Sequence, residues 1–102
     1  MIIYILSEAE AELADAIEHY EFIQSGLGIR LKEEVRSALV WISANPRIPR
    51  LRAASYRRLN LKVFPYYIAY AELGDKLWVL AIAHGHRQPE YWIQRATGLE
   101  EA

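Results

Sequence analysis

Cysteine is absent from all 102 residues. That excludes disulfides, thiolate metal sites and a cysteine nucleophile, and it fits a cytoplasmic protein. No apolar run reaches the roughly 18 residues that a membrane helix requires. The opening Met1 to Leu6 is apolar but short. It lacks a basic leading segment and runs straight into charge, so no signal peptide is expected. No internal repeat, low-complexity tract or linker interrupts the chain, so residues 1–102 read as one domain. With 53% hydrophobic residues the chain can build one core, which argues against disorder.

Two stretches each lack charge of one sign. Residues 1–24 contain six acids (Glu8, Glu10, Glu12, Asp15, Glu18, Glu21) and no lysine or arginine. Residues 46–71 contain six bases (Arg47, Arg50, Arg52, Arg57, Arg58, Lys62) and no acid. The formal net charge of −1 therefore hides two local fields of opposite sign. The basic stretch can meet phosphate or an acidic protein segment, or it is an ordinary solvated surface.

Hydrophobic spacing sets out the elements. Ile2 to Ile5 reads as a short buried strand. Ser7-Glu8-Ala9-Glu10 has the form of a capping box, with Ser7 as N-cap and Glu10 reaching back. Ala9, Leu13, Ala16, Ile17 and Tyr20 follow at helical spacing, which predicts a helix over 8–23. Ser25-Gly26-Leu27-Gly28 breaks it. Leu31, Val35, Ala38, Leu39 and Ile42 predict a second helix over 28–44, ending before Asn45-Pro46. The short link makes the pair an antiparallel hairpin. After an arginine-rich loop come three strand candidates: Tyr56–Leu61, Phe64–Ala71 and Lys76–Ala83, the last two separated by the turn signal Gly74-Asp75. Pro65 belongs at a strand start or bulge. The third candidate is too apolar to face water on one side, so it is expected to be central and covered on both faces. Pro89 to Arg95 reads as a short helix with Pro89 in its first turn. The result is an α+β fold: an N-terminal strand, an antiparallel helical hairpin packed on a mainly antiparallel sheet of about four strands, and a short C-terminal helix.

These segments, in this order, resemble the RelE/ParE toxin superfamily. The resemblance is carried by Ser7 to Leu13, by Tyr20 to Gly28, by Asn45-Pro46, by Arg57-Arg58-Leu59, by Phe64 to Tyr70, and by Ala83 to Trp92. It implies the toxin of a bacterial type II toxin–antitoxin pair, of the plasmid-stabilisation kind. It also implies a cognate antitoxin whose extended or helical tail wraps the toxin. A homodimer and a hetero-oligomer with the antitoxin both stay open.

Two activities occur in proteins of this shape. RelE-like members are endoribonucleases that cut messenger RNA on the ribosome, whereas ParE-like members inhibit DNA gyrase and are not enzymes. Cleavage through a 2′-hydroxyl needs a base, an acid and cations on the phosphate. Arg58, Lys62, His84, Arg87 and Tyr91 are the candidates, with Arg57 as an alternative to Arg58. Arg58 and Lys62 share a strand parity, as do His84 and His86. Tyr91 falls where some ribonuclease relatives place a functional C-terminal tyrosine. Each has a structural alternative: His84 as a hydrogen-bonder, Arg87 paired with Glu90, Tyr91 and Trp92 as anchors of the last helix. Candidates for contact with target or antitoxin are Arg50, Arg52, Arg57, Arg58, Trp41, Arg87, Tyr91 and Trp92. Trp41 sits off the apolar stripe of the second helix, where it either marks an antitoxin groove or widens the core face. No cofactor is expected, and His84 with His86 lacks a third ligand for a metal. One lysine in the basic stretch and a slightly negative total charge make ribosomal RNA a poor target. The ParE-like ending Pro89-Glu90-Tyr91-Trp92 points the same way. Gyrase is therefore the leading target, the ribosome and messenger RNA the alternative, and a non-toxic module of an autoregulatory complex the third reading.

Overall fold

The computed structural model describes residues 1–85 and 90–101. The elements are β1 (Ile3–Ile5), α1 (Ser7–Ile23), α2 (Leu27–Ala44), a single 3₁₀ turn (Ala53–Ser55), β2 (Arg57–Asn60), β3 (Tyr66–Leu73), β4 (Lys76–His84) and α3 (Glu90–Glu101). The sheet order is β1-β4-β3-β2. β1 runs parallel to β4, and the other two pairings are antiparallel. The α+β class, the hairpin of helices and the mainly antiparallel four-stranded sheet are as the sequence implies. Pro65 stands directly before β3, where its missing N–H costs no ladder bond. α3 runs past the predicted end at Arg95; Pro89 lies outside the described residues. Among the described residues no helix is long and apolar enough to cross a membrane.

One local expectation fails. Ser7 is the first residue of α1 rather than its cap; Leu6 holds the cap position and makes no side-chain cap bond. The Ser7 hydroxyl instead donates to the Glu8 carboxylate (3.2 Å). The reason is β1, which delivers Leu6 N–H to Val79 C=O (3.1 Å) and so fixes where the helix starts.

Apolar residues divide between the two faces of the sheet. Ile68, Tyr70, Leu77, Val79 and Ile82 meet Ala9, Ala16, Leu31, Val35 and Ile42 of the hairpin. Tyr67, Ala69, Ala71, Leu80, Ala81 and Ala83 meet Trp92 of α3 on the opposite face. β4 is thus covered on both faces, as its composition requires. Its register contains a bulge. Ala69 pairs with Ala81 and Tyr70 with Val79, so Leu80 is the extra residue. The bulge reverses the alternation: Leu77 and Val79 face the hairpin before it, and Ile82 does so after it.

The hairpin closes through two glycines. Gly26 takes φ 90° at the start of α2, a conformation open to glycine. The Glu21 carboxylate accepts from Gly26 N–H (2.9 Å) and Gly28 N–H (3.0 Å). A Cβ at Gly28 would meet the Ile17 carbonyl oxygen at 2.5 Å. Gly28→Ala is therefore expected to push α2 off α1 and to lower unfolding free energy by about 1–3 kcal/mol, measurable by urea denaturation; an unchanged midpoint would contradict this packing.

Candidate functional site

The basic stretch runs along the β2 edge of the sheet, and half of its six cations are committed. Arg47 pairs with Glu72 in bidentate fashion (3.2 and 2.7 Å). Arg57 lies on the hairpin side of β2 and donates to the carbonyls of Pro49 (2.7 Å) and Arg47 (3.3 Å). It thereby holds the 46–52 loop against the sheet. Tyr70 adds a hydroxyl bond to Pro46 C=O (2.8 Å); burial pushes its pKa above the ordinary value, so it stays a donor. Ala54 and Ser55, at φ 65° and 58°, turn the chain back and allow Arg52 N–H to reach Tyr56 C=O (2.8 Å). These restraints leave the Arg50 and Arg52 side chains without an ion pair among the described residues. Beside them Ile48 and Leu51 stand in solvent, at 68% and 54% exposure. The edge therefore offers free cations interleaved with apolar side chains, a composition suited to a protein partner with acidic residues.

Arg58 points to the other face of β2. Its guanidinium stacks 4.1 Å from the Tyr67 ring centroid and its Nε donates to Asn60. Tyr67 in turn accepts from Trp92 Nε1 (2.9 Å), and Trp92 is fully buried against Tyr56. Trp92 is thus a packing anchor of α3. Lys62 lies elsewhere again, in a groove of about 480 Å³ between α2 and the β2 edge, with Trp41, Leu59 and Leu61. Trp41 is 37% exposed there and lines the groove rather than filling the core. The groove is braced by Glu34, whose Oε1 accepts from Lys62 N–H (2.6 Å) and Val63 N–H (3.0 Å).

His84 and Tyr91 do come together. They line a cleft of about 190 Å³ with His19, Tyr66, Asp15 and Glu12. The Leu80 bulge turns His84 to this face, where its ring stands edge-on to Tyr66 at 5.2 Å. Tyr91 donates to the Glu12 carboxylate (2.8 Å). Glu12 also accepts from Ile82 N–H (3.1 Å) and pairs with Arg95 (3.1 and 3.3 Å). Glu12, Asp15, His19, Tyr66 and Arg95 escape sequence reasoning; only the helical spacing of Glu12, Asp15 and His19 could have hinted that they share a side of α1. Among the described residues no group of histidines and acids is placed to hold a metal ion. Arg87 and His86 lie outside the described residues, and with them the expected pairing of Arg87 with Glu90.

The sequence matches the family profile described as the ParE toxin of the type II toxin–antitoxin system parDE, over residues 3–89. The chain belongs to the ParE toxin family. That match spans β1 to β4, and so includes both the basic edge and the hairpin of this ParE-family chain. No curated protein matches the sequence. Among solved structures it is similar to a chain of the chromosomal ParDE toxin–antitoxin system from P. aeruginosa. The TM-score is 0.65 at 19% identity, covering 82% of this chain and 95% of the other. At that identity the likeness concerns the fold alone.

The Arg47–Glu72 pair gives the basic edge a pH dependence. The hydrogen bond from Arg47 holds the Glu72 carboxyl below its ordinary value of 4.5. A carboxyl lowered on folding contributes stability above its unfolded pKa and loses it as pH falls through the folded one. The stability difference between wild type and Glu72→Gln is therefore expected to be small, full at neutral pH, and to vanish on acidification below about 4.5. Urea titrations across that range check this; a difference that persists in acid would mean the pair is not its source.

Proposed function

We propose that this chain is a toxin that acts by binding: it inhibits DNA gyrase and is neutralised by a cognate antitoxin. One observation carries the choice of binding over cleavage. The described proton-transfer candidates, His84 and Tyr91, sit in a cleft bordered by Asp15 and Glu12. Among the described residues the cation beside it, Arg95, is already tied to Glu12. A phosphodiester gains negative charge on the way to cleavage and needs cations aimed at it. Arg58 stacks on the α3 side of the sheet and Lys62 lies in the Trp41 groove, so neither supports that cleft. Arg50 and Arg52, which make no ion pair among the described residues, lie on the opposite edge, where a binding role needs no proton transfer.

The ribonuclease reading keeps one favourable feature, the juxtaposition of two histidines and two tyrosines in one cleft. It predicts cut messages on translating ribosomes and loss of cutting in His84→Ala. The binding reading predicts instead that excess purified toxin blocks supercoiling by purified gyrase and that antitoxin restores it. His84→Ala should inhibit as wild type does. The paired change Arg50→Glu with Arg52→Glu should weaken inhibition about tenfold or more. Undisturbed supercoiling at excess toxin would count against the proposal.

A further inference from the structure

The outer side of the helical hairpin carries a surface that the toxin reading does not use. Two apolar hollows, of about 590 and 430 Å³, lie along the seam between α1 and α2 and share Lys32. Ala14, Ile17 and Phe22 line the first; Leu13, Leu39 and Val40 line the second. Phe22 is 92% exposed and Val40 65%. Large apolar side chains along one open seam mark a contact surface.

Charge decides what fits it. α1 carries six acids and no lysine or arginine. Glu18 and Glu21 reach the seam from α1, and Lys32 and Arg36 reach it from α2. Glu21 is occupied with the N–H groups of Gly26 and Gly28. Glu18, Lys32 and Arg36 make no ion pair among the described residues. The seam thus has an apolar floor, an acidic bank and a basic bank, and among the described residues Glu18, Lys32 and Arg36 are left to pair across an interface.

We propose that the seam is covered by a second copy of this chain, related by a two-fold axis running along the helices. That axis lays α1 of one copy over α2 of the other, in the manner of a four-helix bundle. Glu18 lies six residues before Gln24 and Lys32 six residues after Gly26, so in this antiparallel hairpin they stand at about the same height and border the same hollow. Each Glu18 then faces Lys32 of the second copy. A two-fold axis across the helices would set acid on acid and base on base, which like-charge repulsion disfavours. The interface is self-complementary in both charge and apolar surface.

Sedimentation of the purified full chain over a concentration series tests this, using wild type, Glu18→Lys and Lys32→Glu. Wild type should dimerise, and each reversal should weaken the dimer about tenfold or more. A mixture of the two variants should recover association as mixed dimers, because each reversed charge then meets its opposite. Recovery in the mixture also shows that both variants are folded. A wild type that stays monomeric throughout, a dimer untouched by both reversals, or a mixture that fails to recover would each overturn the proposal.

Discussion

A side-chain ion pair stands in for a missing strand, and the C-terminal half of the fold depends on it. β1 pairs with β4 only from Leu77 to Val79, which leaves the same edge of β4 bare beyond that point. Buried backbone groups left unpaired are costly. Glu12 accepts from Ile82 N–H, Arg95 donates to Leu80 C=O (2.9 Å), and the two side chains bond each other. The pair therefore completes the edge of β4 from α1 on one side and α3 on the other. It also joins the two layers that cover the sheet, and Tyr91 adds a third donor to the same carboxylate. Such a pair is a poor source of net stability compared with apolar packing, but losing one partner would strand the other.

This arrangement shapes the surfaces available for function. Glu12 and Arg95 neutralise each other beside the His84–Tyr91 cleft, which leaves Asp15 as the charged side chain among the described residues that line it. Arg57 and Arg47 are spent on holding the 46–52 loop, which brings Ile48, Arg50 and Leu51 out into solvent and leaves Arg52 half-buried beside them. Cations that hold the scaffold and cations free for a partner are thus neighbours in sequence and separate in role.

Much of the fold is legible in the sequence, because periodicity reports burial directly. The apolar run Leu77 to Ile82 announces a strand covered on both faces, and the helical spacing of Leu31, Val35 and Ile42 announces the inner face of α2. Two features are not legible. The Leu80 bulge reverses the side-chain alternation, so strand parity cannot assign His84 to its face. The role of Glu12 depends on a β1 of only three residues, a tertiary fact with no local signal. Candidate site residues suffer for the same reason. Arg58 and Lys62 share a parity, yet β2 ends at Asn60 and Lys62 turns into the Trp41 groove. Ser7 shows the converse, a strong local signature overridden by the strand before it.

On the proposed reading this ParE-family chain harms by binding a protein that manages DNA, without cutting RNA. The most direct test follows which process fails first after the chain is induced from a tightly repressed promoter. Activation of a DNA-damage reporter with filamentous growth, while translation continues, is the predicted result. An immediate fall in translation with fragmented messages, before any DNA-damage signal, would contradict it.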